Sequence, residues 1–273
     1  EKTSKFHFKD DQKRALVSRL LQRQACCLIT GRPNADNRIT RTKGSKPYLS
    51  NRPAGDKGSL SCSTAPNWNF NVSHEGLYVV LAAEPIMLCG VDVAAPEQAR
   101  RGRKQTMAEL FKTMERQFTP NEWKAIRACG PDEKAMEDCF RKHWSLKEAF
   151  TKARGDGLGF DFIKCEFAID ALPADGSNVQ TASVCVNGKA EKDWKFYIQP
   201  LQEDHWISVA RGPPSHAVDA LGGFVATFQK PILNNSTVKE QLARPEPLFV
   251  SKNIRDLVPI EVLEKYDASA TRT

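Results

Sequence analysis

The chain has 273 residues, 40% of them hydrophobic and 27% charged, and a net charge of +7. That composition belongs to a globular protein of one large domain or two small ones. No run approaches the roughly 18 apolar residues of a membrane span, and the eight cysteines show neither a C-x-x-C pair nor histidine spacing, which argues against a zinc site and a disulfide framework.

Charge is uneven along the chain. Residues 1–57 hold 14 Lys/Arg against 5 Asp/Glu, a net +9, so the remainder is slightly acidic. A basic half implies an anionic partner: nucleic acid, the phosphates of a nucleotide, or an acidic protein. Taken singly, each of these cations is equally well a solvated helix face.

Residues 8–27 place Leu16, Leu20, Leu21 and Ala25 on one side and Lys13, Arg14, Arg19 and Arg23 around it, which predicts an amphipathic helix. Residues 31–66, rich in Gly, Pro, Ser and Asn, predict loops with short strands. Residues 77–83 (LYVVLAA) and 87–93 predict strands. Glu84-Pro85 between them is a turn, and because proline stops the first strand it marks a boundary between an N-terminal half, 1–85, and a C-terminal half, 86–212. A basic cluster (Arg100, Arg101, Arg103, Lys104) precedes helices over 107–117 and 120–129 and a long helix over 132–154, closed by Gly155. Residues 155–159 (GDGLG) predict a flexible loop. Antiparallel strands follow over 165–169, 182–186, 194–198 and 205–210, with Asn187-Gly188 as a hairpin turn. Beyond Gly212-Pro213-Pro214 the pattern weakens, and 213–273 reads as an appendage with one short helix at 260–266.

Two segments carry chemistry. Gly90-Val91-Asp92-Val93 sets a carboxylate at the end of an apolar run, and residues 144–152 (WSLKEAFTK) put Glu148 and Lys152 on one helix face. A strand-end Asp and a helical Glu converging from distant sequence make a hard-cation site of oxygen ligands completed by phosphate oxygens. A lysine one turn along meets a phosphate or a leaving oxygen. Taken alone, Asp92 reads more simply as a strand or turn cap, and Glu148 with Lys152 as an ordinary i,i+4 pair worth a few tenths of a kcal/mol. Trp144 reads as core packing.

NFNVSHEG at 69–76, LYVVLAAEP, GVDV, and WSLKEAFTKA with GDGLGF behind it occur in an order that resembles the 4′-phosphopantetheinyl transferases. Within them the chain is most similar to the larger Sfp-type class and its eukaryotic aminoadipate-semialdehyde dehydrogenase branch. The resemblance covers most of residues 1–210. It implies an α+β fold of two similar subdomains related by a pseudo-twofold, with coenzyme A and Mg²⁺ in the cleft between them. The implied activity moves phosphopantetheine from coenzyme A to a serine of an apo acyl or peptidyl carrier protein, and one chain suffices, so a monomer is expected. It implies Asp92 and Glu148 as metal-binding acids and Lys152 as the active-site lysine. Lys2, the stretch Arg41, Thr42, Lys43, Gly44, Ser45 and Lys46, and the stretch Asn71, Val72, Ser73 and His74 match positions that hold coenzyme A.

The pattern is broken in three places. Ala94 stands where many bacterial members have a third acid, and Glu75 is expected to supply the missing oxygen. The N-terminal half is expected to lack its first strand. The tail beyond Pro213 has no recognised counterpart. A non-catalytic coenzyme A or nucleotide-binding module is the alternative, disfavoured by intact Asp92, Glu148 and Lys152. A nucleic-acid-binding protein would interleave aromatics with its basic residues, and the N-terminal half has few. No membrane partner is expected. The expected compartment is the cytosol, with an organelle matrix such as the mitochondrion as the alternative if a targeting peptide has been removed.

Overall fold

The computed structural model describes residues 7–51, 64–96, 106–245, 249–258 and 262–264. Lys2, the basic cluster at 100–104 and most of the expected short helix at 260–266 lie outside the described residues. The chain is α+β, with helices and antiparallel strands distributed over two sheet-containing halves.

Helix α1 (Lys9–Thr30) ends on Gly31 in the left-handed region, with Gly31 N bonded back to Cys27 O. Its inward face is Ala15, Ser18, Gln22, Cys26 and Ile29. The expected apolar side is corrected here, because Leu16 is 50% exposed. Two polar residues sit in the buried stripe, where Gln22 Nε2 donates to Ser18 Oγ one turn away at 3.1 Å. Two short strands, β1 (Ile39–Arg41) and β2 (Pro47–Leu49), pair as a hairpin. Strands β3 (Asn69–Glu75) and β4 (Tyr78–Glu84) form a second hairpin. Sequence patterning predicts β4 but does not show 69–75 as a strand. Cys26, Ile29, Leu49, Trp68 and Phe70 make the core of this half.

Strand β5 (Leu88–Ala94) begins the large sheet. After it come α2 (Met107–Thr113), α3 (Pro120–Ala128) and the long α4 (Glu133–Arg154). Helices α2 and α3 each open on a capping box, Thr106 with Glu109 and Thr119 with Glu122. Helix α4 is capped by the Asp132 side chain and terminated by Gly155. Strands β6 (Cys165–Ile169), β7 (Gln180–Val186), β8 (Lys189–Ala190), β9 (Lys195–Leu201) and β10 (His205–Gly212) complete an antiparallel sheet in the order β5-β10-β9-β7-β6, with β8 on β7. The expected Asn187-Gly188 turn joins β7 to β8, both residues at positive φ.

Strand alternation sorts β5 into two faces. Leu88, Gly90 and Asp92 face α4, which lies across β5 and β10, whereas Val91 and Val93 pack with Val80, Ile207 and Val209 on the other side. The main core joins Leu146, Ala149, Phe150 and Ala153 of α4 to Phe196, Ile198 and Ala210 of the sheet. Residues after Pro213 enter that same core through Phe224 and Phe228, packed against Tyr48. The tail also ties Val218 N to Arg154 O at 2.8 Å, and Asn67 to both backbone groups of Lys230. It further contributes α5 (Asn235–Ala243), whose Leu242 O accepts from Lys195 Nζ. The reading of this segment as an appendage is therefore corrected: its aromatics are core residues.

A fully buried ion pair braces α4 from behind. Lys147 Nζ lies 2.8 Å from Glu122 Oε2 with both side chains at 0% exposure, and it also donates to Phe162 O and Cys165 O. Glu122 in turn accepts from Thr119 N and Phe167 N. Every donor and acceptor of the pair is satisfied, as a buried charge pair requires. Among the described residues, no helix is long and apolar enough to cross a membrane, and the seven cysteines there are free.

Candidate active site

The site forms along the edge of β5, which among the described residues has no backbone strand partner on the side facing β3. Side chains replace that partner. Asn69 Oδ1 accepts from Cys89 N at 3.0 Å, Asn71 Oδ1 from Val91 N at 2.9 Å, Ser73 Oγ from Val93 N at 3.4 Å and Glu75 Oε2 from Ala95 N at 2.6 Å. Every second residue of β3 thus satisfies every second amide of β5. The polar alternation Asn-x-Asn-x-Ser-x-Glu was the sequence signal for this suture. A second tie between the halves is the buried Arg211–Glu84 ion pair at 3.2 Å.

Asp92 projects from β5 toward α4, where Glu148 and Lys152 stand one turn apart. Lys152 Nζ is 2.5 Å from Asp92 Oδ1 and 3.8 Å from Glu148 Oε2. Ser73 Oγ donates to Asp92 Oδ1 at 2.8 Å and accepts from Lys152 Nζ at 3.1 Å. Burial draws the Lys152 ammonium toward neutrality, but Asp92, Glu148, the hydrogen bond to Asp92 and Glu75 outweigh it and hold its pKa above the ordinary lysine value. Glu148 stands above the usual carboxylate range: burial raises it, Lys152 opposes, and Asp92 adds repulsion. The pair of carboxylates is held together by one shared ammonium.

The other expected residues divide. His74 lies on the α1 side of β3, and its imidazole is held below the ordinary value by desolvation and by the positive charges of Arg14 and Lys152. Arg14 itself donates to Gly76 O at 2.8 Å. Val72 shares the His74 face of β3. The stretch Arg41 to Lys46 makes a tight turn, with Thr42 N bonded to Lys46 O and Lys46 N to Thr42 Oγ1. Lys43 and Ser45 are exposed. Arg41 is exposed as well and donates to Ser45 O at 2.8 Å; desolvation and the nearby Arg19 both lower its pKa. Gly44 docks on the end of α4, where a Cβ would sit 2.1 Å from Gly155 O. The loop expected at 155–159 is 3-10 helical over Gly157–Gly159, packed through Gly155 and Gly157 and exposed at Leu158 and Gly159. Lys46 is turned inward. Glu75, expected as a third metal acid, spends Oε2 on Ala95 N, and among the described residues no three His, Cys, Asp or Glu side chains group as a metal cage.

A family model described as 4′-phosphopantetheinyl transferase, N-terminal, matches residues 1–86, and that of the 4′-phosphopantetheinyl transferase superfamily matches residues 88–210. A phosphopantetheinyl transferase of Thraustochytrium sp. is 35% identical over 222 residues, 80% of this chain and 70% of that protein. The chain belongs to the 4′-phosphopantetheinyl transferase superfamily. The L-aminoadipate-semialdehyde dehydrogenase-phosphopantetheinyl transferases of Mus musculus and Homo sapiens are 38% and 37% identical over 215 residues, 78% of this chain. The match spans 66% of each of those relatives, just under two thirds of their length. The two models of the phosphopantetheinyl transferase superfamily adjoin at Met87, between β4 and β5, so the sutured seam runs between the matched segments.

Three features of the site were not read from the sequence. Ser73 bridges Asp92 and Lys152, Arg14 flanks His74, and Arg19 flanks Arg41. Hydrophobic periodicity puts the two arginines on the polar side of a helix, and the packing of α1 on β3 and β4 brings that helix to the site.

Proposed function

We propose that this phosphopantetheinyl transferase superfamily member moves the 4′-phosphopantetheine arm of coenzyme A onto a serine of an apo acyl or peptidyl carrier protein, releasing adenosine 3′,5′-bisphosphate. The observation that carries the reading is the meeting of Asp92 with Glu148 and Lys152, two carboxylates around one ammonium beside a basic half. The donor set fits Mg²⁺, a hard cation that takes one or two carboxylates and substrate phosphate oxygens. Asp92 and Glu148 would hold it. Bound there, Mg²⁺ supplies neutralisation of the charge that grows on the departing phosphate.

The protein's own groups do the rest. Glu148 takes the proton of the serine hydroxyl as the bond from serine oxygen to the β-phosphorus forms and the bond from that phosphorus to the bridging oxygen breaks. Its raised pKa makes it a better proton acceptor than an exposed carboxylate. Lys152, kept cationic by its two carboxylates, donates to a phosphate oxygen. Arg41 with Arg19 presents positive charge to the remaining phosphates, and His74, whose pKa is lowered, offers them an imidazole hydrogen bond rather than a charge. Both substrates meet within one chain, so a monomer is sufficient.

The test is the Mg²⁺ dependence of transfer in Asp92→Asn and Glu148→Gln. Each is expected to lower kcat by about 10²-fold or more, the scale of a lost acid–base or electrostatic group, and to raise the Mg²⁺ concentration giving half the maximal rate. Unchanged Mg²⁺ dependence in both variants would contradict the assignment of these carboxylates. Coenzyme A binding without transfer by the wild type would instead support a non-catalytic module.

A further inference from the structure

Lys46 is a lysine without a phosphate-facing position. Its side chain lies along Gly155 and is 4% exposed as a residue. Nζ donates to Cys89 O at 2.8 Å and to Lys152 O at 2.9 Å, and the Phe224 ring stands 5.6 Å from it. The two carbonyls belong to the two elements that carry the site residues, β5 and α4. Cys89 is three residues before Asp92 on β5, and its amide is already taken by Asn69. Lys152 O falls in the last turn of α4, where a carbonyl has no intrahelical partner and a cation is favoured by the helix dipole.

We infer that Lys46 is a positioning residue for the transfer chemistry: it pins β5 to the last turn of α4 and so sets the distance at which Asp92 meets Lys152. The inference rests on the proposed transferase reading and departs from the coenzyme A contact that the family resemblance implied for this position. Gly90 allows the approach of the two elements, because a Cβ there would lie 2.0 Å from Ala149 O, and Lys46 fixes it. The turn 42–46 exists in this form to deliver that ammonium. Thr42 Oγ1 holds Lys46 N, and Gly44 seats the turn against Gly155 and Gly157. Burial pushes the Lys46 ammonium down to about 8.

Lys46→Met keeps the stem and removes the donors. Transfer to an apo carrier protein is expected to show kcat reduced by about 10- to 100-fold, the scale of a sub-ångström to 1 Å misplacement of reacting groups. KM for coenzyme A should stay within about threefold, and the preference for coenzyme A over 3′-dephospho-coenzyme A should equal that of the wild type. A raised KM with kcat unchanged, or a lost preference, would overturn the inference and make Lys46 a coenzyme contact. Should Lys46→Met fail to fold, the wild type crystallised with coenzyme A decides: Lys46 Nζ stays on Cys89 O and Lys152 O, whereas Nζ on a phosphate oxygen overturns the inference. Failure of the wild type to modify any carrier protein would refute the transferase reading itself, separately from either result.

Discussion

Replacing Glu122 with glutamine removes one charge from a pair that no water reaches. Lys147 Nζ has three acceptors, Glu122 Oε2, Phe162 O and Cys165 O, and Glu122 has three donors, Lys147, Thr119 N and Phe167 N. The introduced amide would neutralise the counter-charge and turn one N–H donor toward a position now filled by a donor. Breaking a buried pair from one side costs about 3–5 kcal/mol because the surviving charge stays desolvated. For a domain of this size about 2–4 °C of Tm accompanies each kcal/mol, so the melting point should fall by about 6–20 °C. Lys147→Met should cost a similar amount. The double variant, with neither charge, should cost less than the sum of the two by at least about 2 kcal/mol, remaining below wild type because Phe162 O and Cys165 O lose the lysine donor and one of the two amides facing residue 122 loses its acceptor. Urea unfolding of the four proteins measures this cycle. A Glu122→Gln loss under about 1 kcal/mol, or strict additivity, would refute the claim that this pair is buried and coupled.

Other consequences follow from the same packing. Gly90→Ala forces a methyl to within 2.0 Å of Ala149 O and 2.4 Å of Ala153 N, both backbone atoms, so β5 and α4 must separate; a loss of about 3 kcal/mol or more and a fall in transfer rate are expected, measured by denaturation and by turnover. Phe224→Ala should cost about 3–5 kcal/mol, as for a core phenylalanine, whereas an appendage would tolerate it within about 0.5 kcal/mol. Glu148 must be ionised to accept a proton. Burial raises its pKa in the metal-free protein, so its carboxyl carbon, followed by NMR without Mg²⁺, should titrate above an ordinary carboxylate, and Glu148→Asp, with its shorter reach from α4, should lose transfer rate at every pH.

Much of the second half was legible. The predicted strands at 165–169, 182–186 and 205–210 and the helix over 132–154 lie within about two residues of the observed elements, because each has its own punctuation: Asp132 and Gly155 for the helix, Asn187-Gly188 for the hairpin. The approach of Glu148 and Lys152 followed from i,i+4 spacing, and their meeting with Asp92 from the combination of a strand-end carboxylate with a helical one and from the family resemblance. What escaped were long-range substitutions of one partner for another. Strand β3 satisfies β5 through side chains rather than its backbone, so its polar alternation looked like a ligand motif. Lys46 sits in a basic stretch whose charge suggested an outward reach, and only the docking of Gly44 on Gly155 shows it turned inward. Phe224 and Phe228 carry no periodic pattern around them, and their core role depends on Tyr48 from a distant hairpin.

The central claim is transfer of phosphopantetheine by groups gathered at Asp92, Glu148 and Lys152. The most direct measurement is the intact mass of an apo acyl carrier protein incubated with this protein, coenzyme A and Mg²⁺, beside a Glu148→Ala control. The account predicts a gain of one phosphopantetheine group with the wild type and none with the control. No gain across several carrier proteins, with coenzyme A still bound, would contradict it.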